Sequence, residues 1–162
     1  MTKIYHPIPP LYDENSKILI LGSFPSVASR KEMFFYGHPQ NRFWRVVSEI
    51  LSCKTPTNTD EKKNMLLSNG IAVWDVIASC EIEGSADSSI AEETPNDLTP
   101  LLQTADIKAI FTNGKKAHDL YEKMIYPSTE IHSIYLPSTS PANAAFSVEK
   151  LVSEWRIINN YL

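Results

Sequence analysis

At 162 residues, with 43% hydrophobic and 21% charged side chains, the chain has the size and composition of one domain around one substantial core. A net charge of −4 argues against a protein that grips nucleic acid by bulk electrostatics, and Cys53 and Cys80 are too few for an iron–sulfur cluster. No stretch approaches a membrane span and the start, MTKIYHPIPP, lacks the apolar core of a signal peptide, so a reduced, cytoplasmic setting is expected.

Residues 1–16 are proline-rich and hold an Asp-Glu-Asn-Ser turn, which predicts an extended lead-in on the surface. Lys17–Leu21 reads as a strand buried on both faces, because Ile18–Leu21 is an unbroken run of branched apolar residues. The run stops at Gly22. A polar loop with Ser23, Pro25, Ser26 and Ser29 leads into the aromatic cluster Phe34, Phe35 and Tyr36, then into His38-Pro39-Gln40-Asn41. Phe43, Val46, Val47, Ile50 and Leu51 recur at helical spacing and predict a helix over about Arg42–Ser52. Thr59 is placed to cap a second helix, with Asp60 and Glu61 in its first turn and Asn69-Gly70 as its stop.

Ile71–Val76 is the second predicted strand, and Glu81–Ala91, polar and without period, reads as a loop. Thr94-Pro95-Asn96-Asp97 predicts a helix start, with Leu98, Leu101 and Leu102 on the apolar face. Ile107–Phe111 is the third strand; Ala117, Leu120, Tyr121, Met124 and Ile125 mark the helix after it. Ile131–Leu136 is the fourth strand, and Val148, Leu151, Val152, Trp155 and Ile158 line the last helix.

Strands alternating with helices predict an α/β fold, a three-layer α/β/α sandwich with a central four-stranded parallel sheet, spanning residues 1–162 as one domain. Ligands of such sheets bind beyond the carboxyl ends of the strands. Those ends are Gly22-Ser23, Asp75–Ser79, Thr112-Asn113 and Pro137–Asn143, all polar. A strand end that opens into aromatics and amides suits a flat, polar ring. Asn41, directly before a helical pattern, is a preferred N-cap; His38, with no second His at ligand spacing, reads as a tie within its loop. Asn113-Gly114-Lys115 reads as a helix start and Pro137–Asn143 as a rigid connection, unless either carries function.

GSFPS (Gly22–Ser26), FFYGHPQNRFW (Phe34–Trp44), GIAVWDVIASCEIEGSADSSI (Gly70–Ile90) and LPSTSPANA (Leu136–Ala144) form an ordered set that resembles the uracil-DNA glycosylase superfamily, nearest its hypoxanthine (deoxyinosine) DNA glycosylase branch. The resemblance covers roughly residues 15 to 160. It implies a monofunctional enzyme that hydrolyses the N-glycosidic bond of a deaminated base in single- or double-stranded DNA, acting as a monomer without metal or other cofactor. A uracil or mismatch glycosylase on the same scaffold, and a binding module that has lost activity, are the alternatives.

The resemblance also assigns residues. Asn41, in the HPxN element, is the expected catalytic residue and would orient a water. Gly22, Ser23, Phe24, Phe35, Tyr36 and Asn113 are expected to form the base pocket, with Tyr36 or Phe35 stacking on a flipped base. Ser138, Thr139, Ser140, Pro141, Ala142, Asn143 and Lys115 are expected to meet the DNA, with Asn143 or Ala142 as the wedge into the vacated stack. Phe24 departs from the family pattern, since relatives often hold a water-directing Asp or Asn there. No catalytic role falls to Asp75. Arg30, Lys31, Arg42 and Arg45 flank the first motif and predict weak, salt-sensitive DNA binding.

Overall fold

The computed structural model describes residues 2–162. Its centre is a parallel sheet of β2 (Ile18–Gly22), β3 (Ile71–Asp75), β6 (Ala109–Asn113) and β7 (Ser133–Leu136), in the order β3-β2-β6-β7. Every residue of β2 is buried, as its unbroken apolar run requires. Ile18 and Ile20 face one core and Leu19 and Leu21 the other, the two-residue alternation of a strand covered on both sides.

The first core is closed by α2 (Phe43–Ile50), α3 (Thr59–Ser68) and α7 (Val148–Trp155). The second is closed by α4 (Thr99–Thr104) and α5 (Lys115–Met124). This is the expected three-layer arrangement. The chain leaves β2 for β3 on one side and reaches β6 on the other, so the strand order reverses between β2 and β6. That reversal opens a crevice at their carboxyl ends.

Several local expectations are corrected. The second predicted strand, Ile71–Val76, ends as β3 at Asp75, and a further strand that the sequence did not predict, β4 (Ile77–Glu81), turns away to form an antiparallel ribbon with β1 (Lys3–Tyr5) and β5 (Ala91–Pro95). The lead-in is therefore not merely a surface segment: it supplies β1, and Ile8 and the His6 side chain are buried. Residues 94–95 end a strand rather than start a helix, because β5 finds its partner in β4; α4 begins at Thr99, with Asp97 Oδ1 accepting the Thr99 N–H and Pro100 in its first turn. Asn58, not Thr59, caps α3 by accepting the Glu61 N–H.

The loop after Gly22 holds a short helix, α1 (Val27–Glu32), capped by Ser26. A four-residue helix, α6 (Tyr126–Thr129), follows α5. No helix among the described residues is long and apolar enough to cross a membrane.

Candidate active site

A cavity of about 700 Å³ opens at the reversal point, over the carboxyl ends of the central strands. Its walls come from Gly22–Ser26, the Tyr36–Asn41 approach to α2, Asp75, the 85–88 loop, Asn113 and the 138–143 loop.

At the inner end, Gly22 must be glycine: a β-carbon there would lie 2.4 Å from Asp75 Oδ1 and 3.2 Å from Tyr36 Oη. Asp75 is buried and its Oδ2 lies 2.8 Å from His6 Nε2. The Ile8 N–H donates to His6 Nδ1, which leaves the ring proton on Nε2 to be donated to the carboxylate. Asp75 is thus fixed in place by protein and not by water, and the residue that fixes it lies 69 positions away in the sequence.

Tyr36 has a left-handed backbone, φ 51°, an uncommon conformation for a non-glycine residue that marks local strain. Its carbonyl is held by the Trp44 indole N–H at 3.1 Å. Its ring stacks on Phe43, with centroids 4.1 Å apart and planes at 13°. One face of Tyr36 is therefore already used, which corrects the picture of a free stacking platform. Its hydroxyl is buried beside Gly22 and Asp75 and has no hydrogen-bond partner among the described residues. Burial, with Asp75 nearby, raises its pKa well above the ordinary tyrosine value, so it remains a donor. Phe35 lines the same cavity but is almost wholly buried, and Phe24 packs edge-on against His6 with the Arg30 guanidinium over its ring.

A chain of hydrogen bonds joins the two amides. Asn113 Nδ2 donates to Thr139 Oγ1 at 3.0 Å, and Thr139 Oγ1 donates to Asn41 Oδ1 at 2.9 Å. The Thr139 N–H closes the link by donating to Asn113 Oδ1 at 3.0 Å. Asn41 Oδ1 also accepts the Phe43 N–H at 2.9 Å, so it satisfies the first amide of α2 from one position before the N-cap, which is Arg42 and not Asn41. Two donors fix which end of the amide is oxygen. The Asn41 NH2 makes no hydrogen bond to another described residue, and Asn41 lines the cavity. Asn113 and Thr139 are buried and largely committed to this relay.

The 138–146 segment is gripped from behind. The Arg42 guanidinium donates to the carbonyls of Thr139, Ser140, Asn143 and Phe146. The sequence shows Arg42 only as one of the basic residues flanking the first motif; the fold spends its charge on this loop. Asn143 Nδ2 donates to the Ser138 carbonyl, so of the two wedge candidates only Ala142 is exposed and free of such a tie. Gly114, at φ 101°, passes so close to Ser138 that a β-carbon would lie 3.2 Å from the Ser138 β-carbon. Lys115 is exposed at the rim and paired with Asp119 at 2.6 Å, a surface pair worth little energetically. His38 Nδ1 accepts the Gln40 N–H and ties its own loop, as its sequence setting suggests.

Two carboxylates that face the cavity carry no site role from the sequence. Asp75 stands at a predicted strand end. Asp87 lies in the segment read as featureless loop, and its Oδ1 accepts a 2.8 Å hydrogen bond from Ser23. Nothing local distinguishes it from the other acidic residues of that stretch. Among the described residues no three His, Cys, Asp or Glu gather as a potential metal site.

Comparison with known proteins agrees with this geometry. The family model described as the uracil DNA glycosylase superfamily matches residues 9–161. A protein of Methanosarcina acetivorans named hypoxanthine DNA glycosylase is 38% identical over 93% of this chain and 94% of its own length. One of the same name from Methanosarcina barkeri is 37% identical over 72% of this chain and 75% of its own. A solution NMR structure of a candidate uracil DNA glycosylase from Methanosarcina acetivorans superposes with a TM-score of 0.78 at 34% identity, covering 94% of this chain and 96% of that one. With the parallel sheet, the crevice at its reversal point and a match along nearly the whole length, this chain belongs to the uracil DNA glycosylase superfamily.

Proposed function

We propose that this protein is a monofunctional DNA glycosylase that removes a deaminated base, hypoxanthine in the first place, and leaves an abasic site. The observation that carries this reading is the Asn41 amide: rigidly oriented by Phe43 and Thr139, it keeps an unpaired NH2 on the wall of a cavity large enough for a purine. The names of the Methanosarcina relatives favour hypoxanthine as the base.

In this reading the target nucleotide leaves the duplex and enters the cavity, at a cost of a few kcal/mol that is least at mispaired or damaged sites. The C1′–N9 bond breaks with oxocarbenium character at the sugar. Fixed donors, among them the protonated Tyr36 hydroxyl, offset charge that develops on the departing base. The Asn41 NH2 donates to the attacking water and holds its oxygen toward C1′. The half-buried hydroxyls of Ser138 and Ser140, which line the cavity, suit phosphate contact without bulk charge.

Single-turnover cleavage of duplexes carrying deoxyinosine, deoxyuridine or deoxyxanthosine tests the function. Hypoxanthine release with an intact abasic strand is expected, undiminished by a chelator. Uracil as the preferred product would reassign the enzyme within its family, and no product from any duplex would leave a binding module. Binding to undamaged duplex is expected to be weak and to fall steeply with salt, since net charge is −4 and Arg42 is turned inward. Titration at two ionic strengths checks this; tight, salt-insensitive binding contradicts it.

A further inference from the structure

We propose that Asp87 is the catalytic base, the carboxylate that accepts the proton of the attacking water. The proposal rests on the glycosylase reading above. The Asn41 amide leaves this post open: its oxygen already accepts two hydrogen bonds and its free end can only donate. A water held by an NH2 donor still needs an acceptor for the proton it loses.

Asp87 has that capacity and is built into place. Its Oδ1 is held by the Ser23 hydroxyl at 2.8 Å, while Oδ2 has no hydrogen-bond partner among the described residues. Asp87, Ser23 and Asn41 all line the one cavity. The loop that carries Asp87 is pinned to α1: the Val27 N–H donates to Ser85 Oγ at 2.9 Å and Arg30 Nη2 donates to the Gly84 carbonyl at 3.1 Å. Within the loop, Ser89 Oγ accepts the Glu83 N–H and donates to the Ala86 carbonyl. A segment without periodicity is thereby shaped into a fixed arm with one carboxylate at the strand end. The partner there is Ser23, just past the end of β2 and directly before the apolar Phe24. The chain thus brings a carboxylate from 64 residues away to the neighbour of a position that has none.

Asp75 is the competing carboxylate, and its setting argues against it. One of its oxygens is already satisfied by His6 and it sits beneath Gly22 at the buried end. Its charge acts instead on Asp87. Loss of solvent raises the Asp87 pKa, and Asp75 raises it further, against the Ser23 hydrogen bond and Lys116, which lower it. A carboxylate raised above its ordinary range is a stronger base than an exposed one. The other charged or titratable groups around it are Arg30 on α1, Tyr36 and His38 before α2, Cys80 on β4, Lys115 on α5, Tyr135 on β7, and His6 behind Asp75.

The step balances. The water oxygen bonds to C1′, the C1′–N9 electron pair leaves with the purine, and the water proton passes to Asp87. The departing purine takes a proton from solvent, and Asp87 returns its own to solvent.

Asp87→Asn is the test, because asparagine still offers Ser23 an acceptor and so preserves the loop. On a deoxyinosine duplex under single turnover, the variant is expected to lose a hundred-fold or more in rate, on the order of what general-base removal costs. The wild-type rate is expected to rise with pH through the Asp87 titration, and the variant to lose this acid limb. Affinity for the duplex should hold or improve, since a negative charge near phosphates is gone. A melt of the same preparation reads folding separately. A variant within about threefold of wild type overturns the proposal, as does a slow variant that keeps the acid limb. A wild-type profile with no acid limb overturns it without any variant. Wild-type protein that releases no base refutes the glycosylase reading itself, whereas an active wild type with an unaffected Asp87→Asn refutes Asp87 alone.

Discussion

Asn41→Ala is expected to slow the chemical step about a hundred-fold or more, the scale on which one transition-state hydrogen-bonding group acts. The residue has two jobs, and they use opposite ends of the amide. Its oxygen takes the first amide of α2 and the Thr139 hydroxyl; its NH2 is free toward the cavity. Alanine removes both, so the variant is also expected to lose about 1 kcal/mol of stability through the lost bond to that amide. Asn41→Asp separates the jobs. Aspartate accepts from Phe43 and Thr139 as well as asparagine does, but has no N–H to give a water and adds a charge. A melting temperature near wild type with a rate as low as that of alanine is the expected result. Well-folded Asn41→Ala with near-normal single-turnover cleavage would remove Asn41 from the chemistry and leave only its bond to α2.

Arg42→Ala is expected to have the largest effect on stability of any single change near the site. The guanidinium serves four carbonyls of one loop, and hydrogen bonds to charged groups are worth about 1.5–3 kcal/mol each when not replaced by water. Partial rehydration of the loop reduces the sum to an expected loss of about 3 kcal/mol, or roughly 6–12 °C in melting temperature for a chain of this size. Lysine should not rescue it, since a point charge on a flexible stem cannot span the acceptors of a planar fork. Cleavage should fall even where the fold survives, because Thr139, which aligns Asn41 with Asn113, rides on the released loop. An unshifted melt for Arg42→Ala would show that the loop stands without its clamp.

Much of the scaffold was legible in the residues alone, for a simple reason. Burial on two faces demands an unbroken apolar run, so Ile18–Leu21 announces itself; the third and fourth strands, expected at Ile107–Phe111 and Ile131–Leu136, form two residues later, at Ala109–Asn113 and Ser133–Leu136, and helices betray their buried stripe by spacing. Once strands alternate with helices, right-handed connection makes the sheet parallel and puts its ligands beyond the carboxyl ends. Gly22, Asn41, Asn113 and the 138–143 loop were placed on one cavity by that logic and by family resemblance together. The ribbon of β1, β4 and β5 was not legible, because residues 91–95 become a strand only when β4 lies beside them.

The chemistry of individual groups was decided by the tertiary structure. Local sequence specifies which side of an element is apolar, but a polar group takes its role from whatever partner the fold delivers. The lead-in delivers His6 to Asp75, the 85–88 loop delivers Asp87 to Ser23, and α2 delivers Arg42 to the carbonyls of a loop about a hundred residues on. Asn41 shows the division within one side chain. Its place before a helix marked it as a cap, and resemblance marked it as catalytic. The Phe43 N–H and the arrival of Thr139 at the same oxygen together leave the NH2 end facing the cavity. Hydrogen-bond partners of this kind are separated by 64 to 104 positions. No periodic pattern encodes such a separation, because it is a property of the folded path and not of any segment along it.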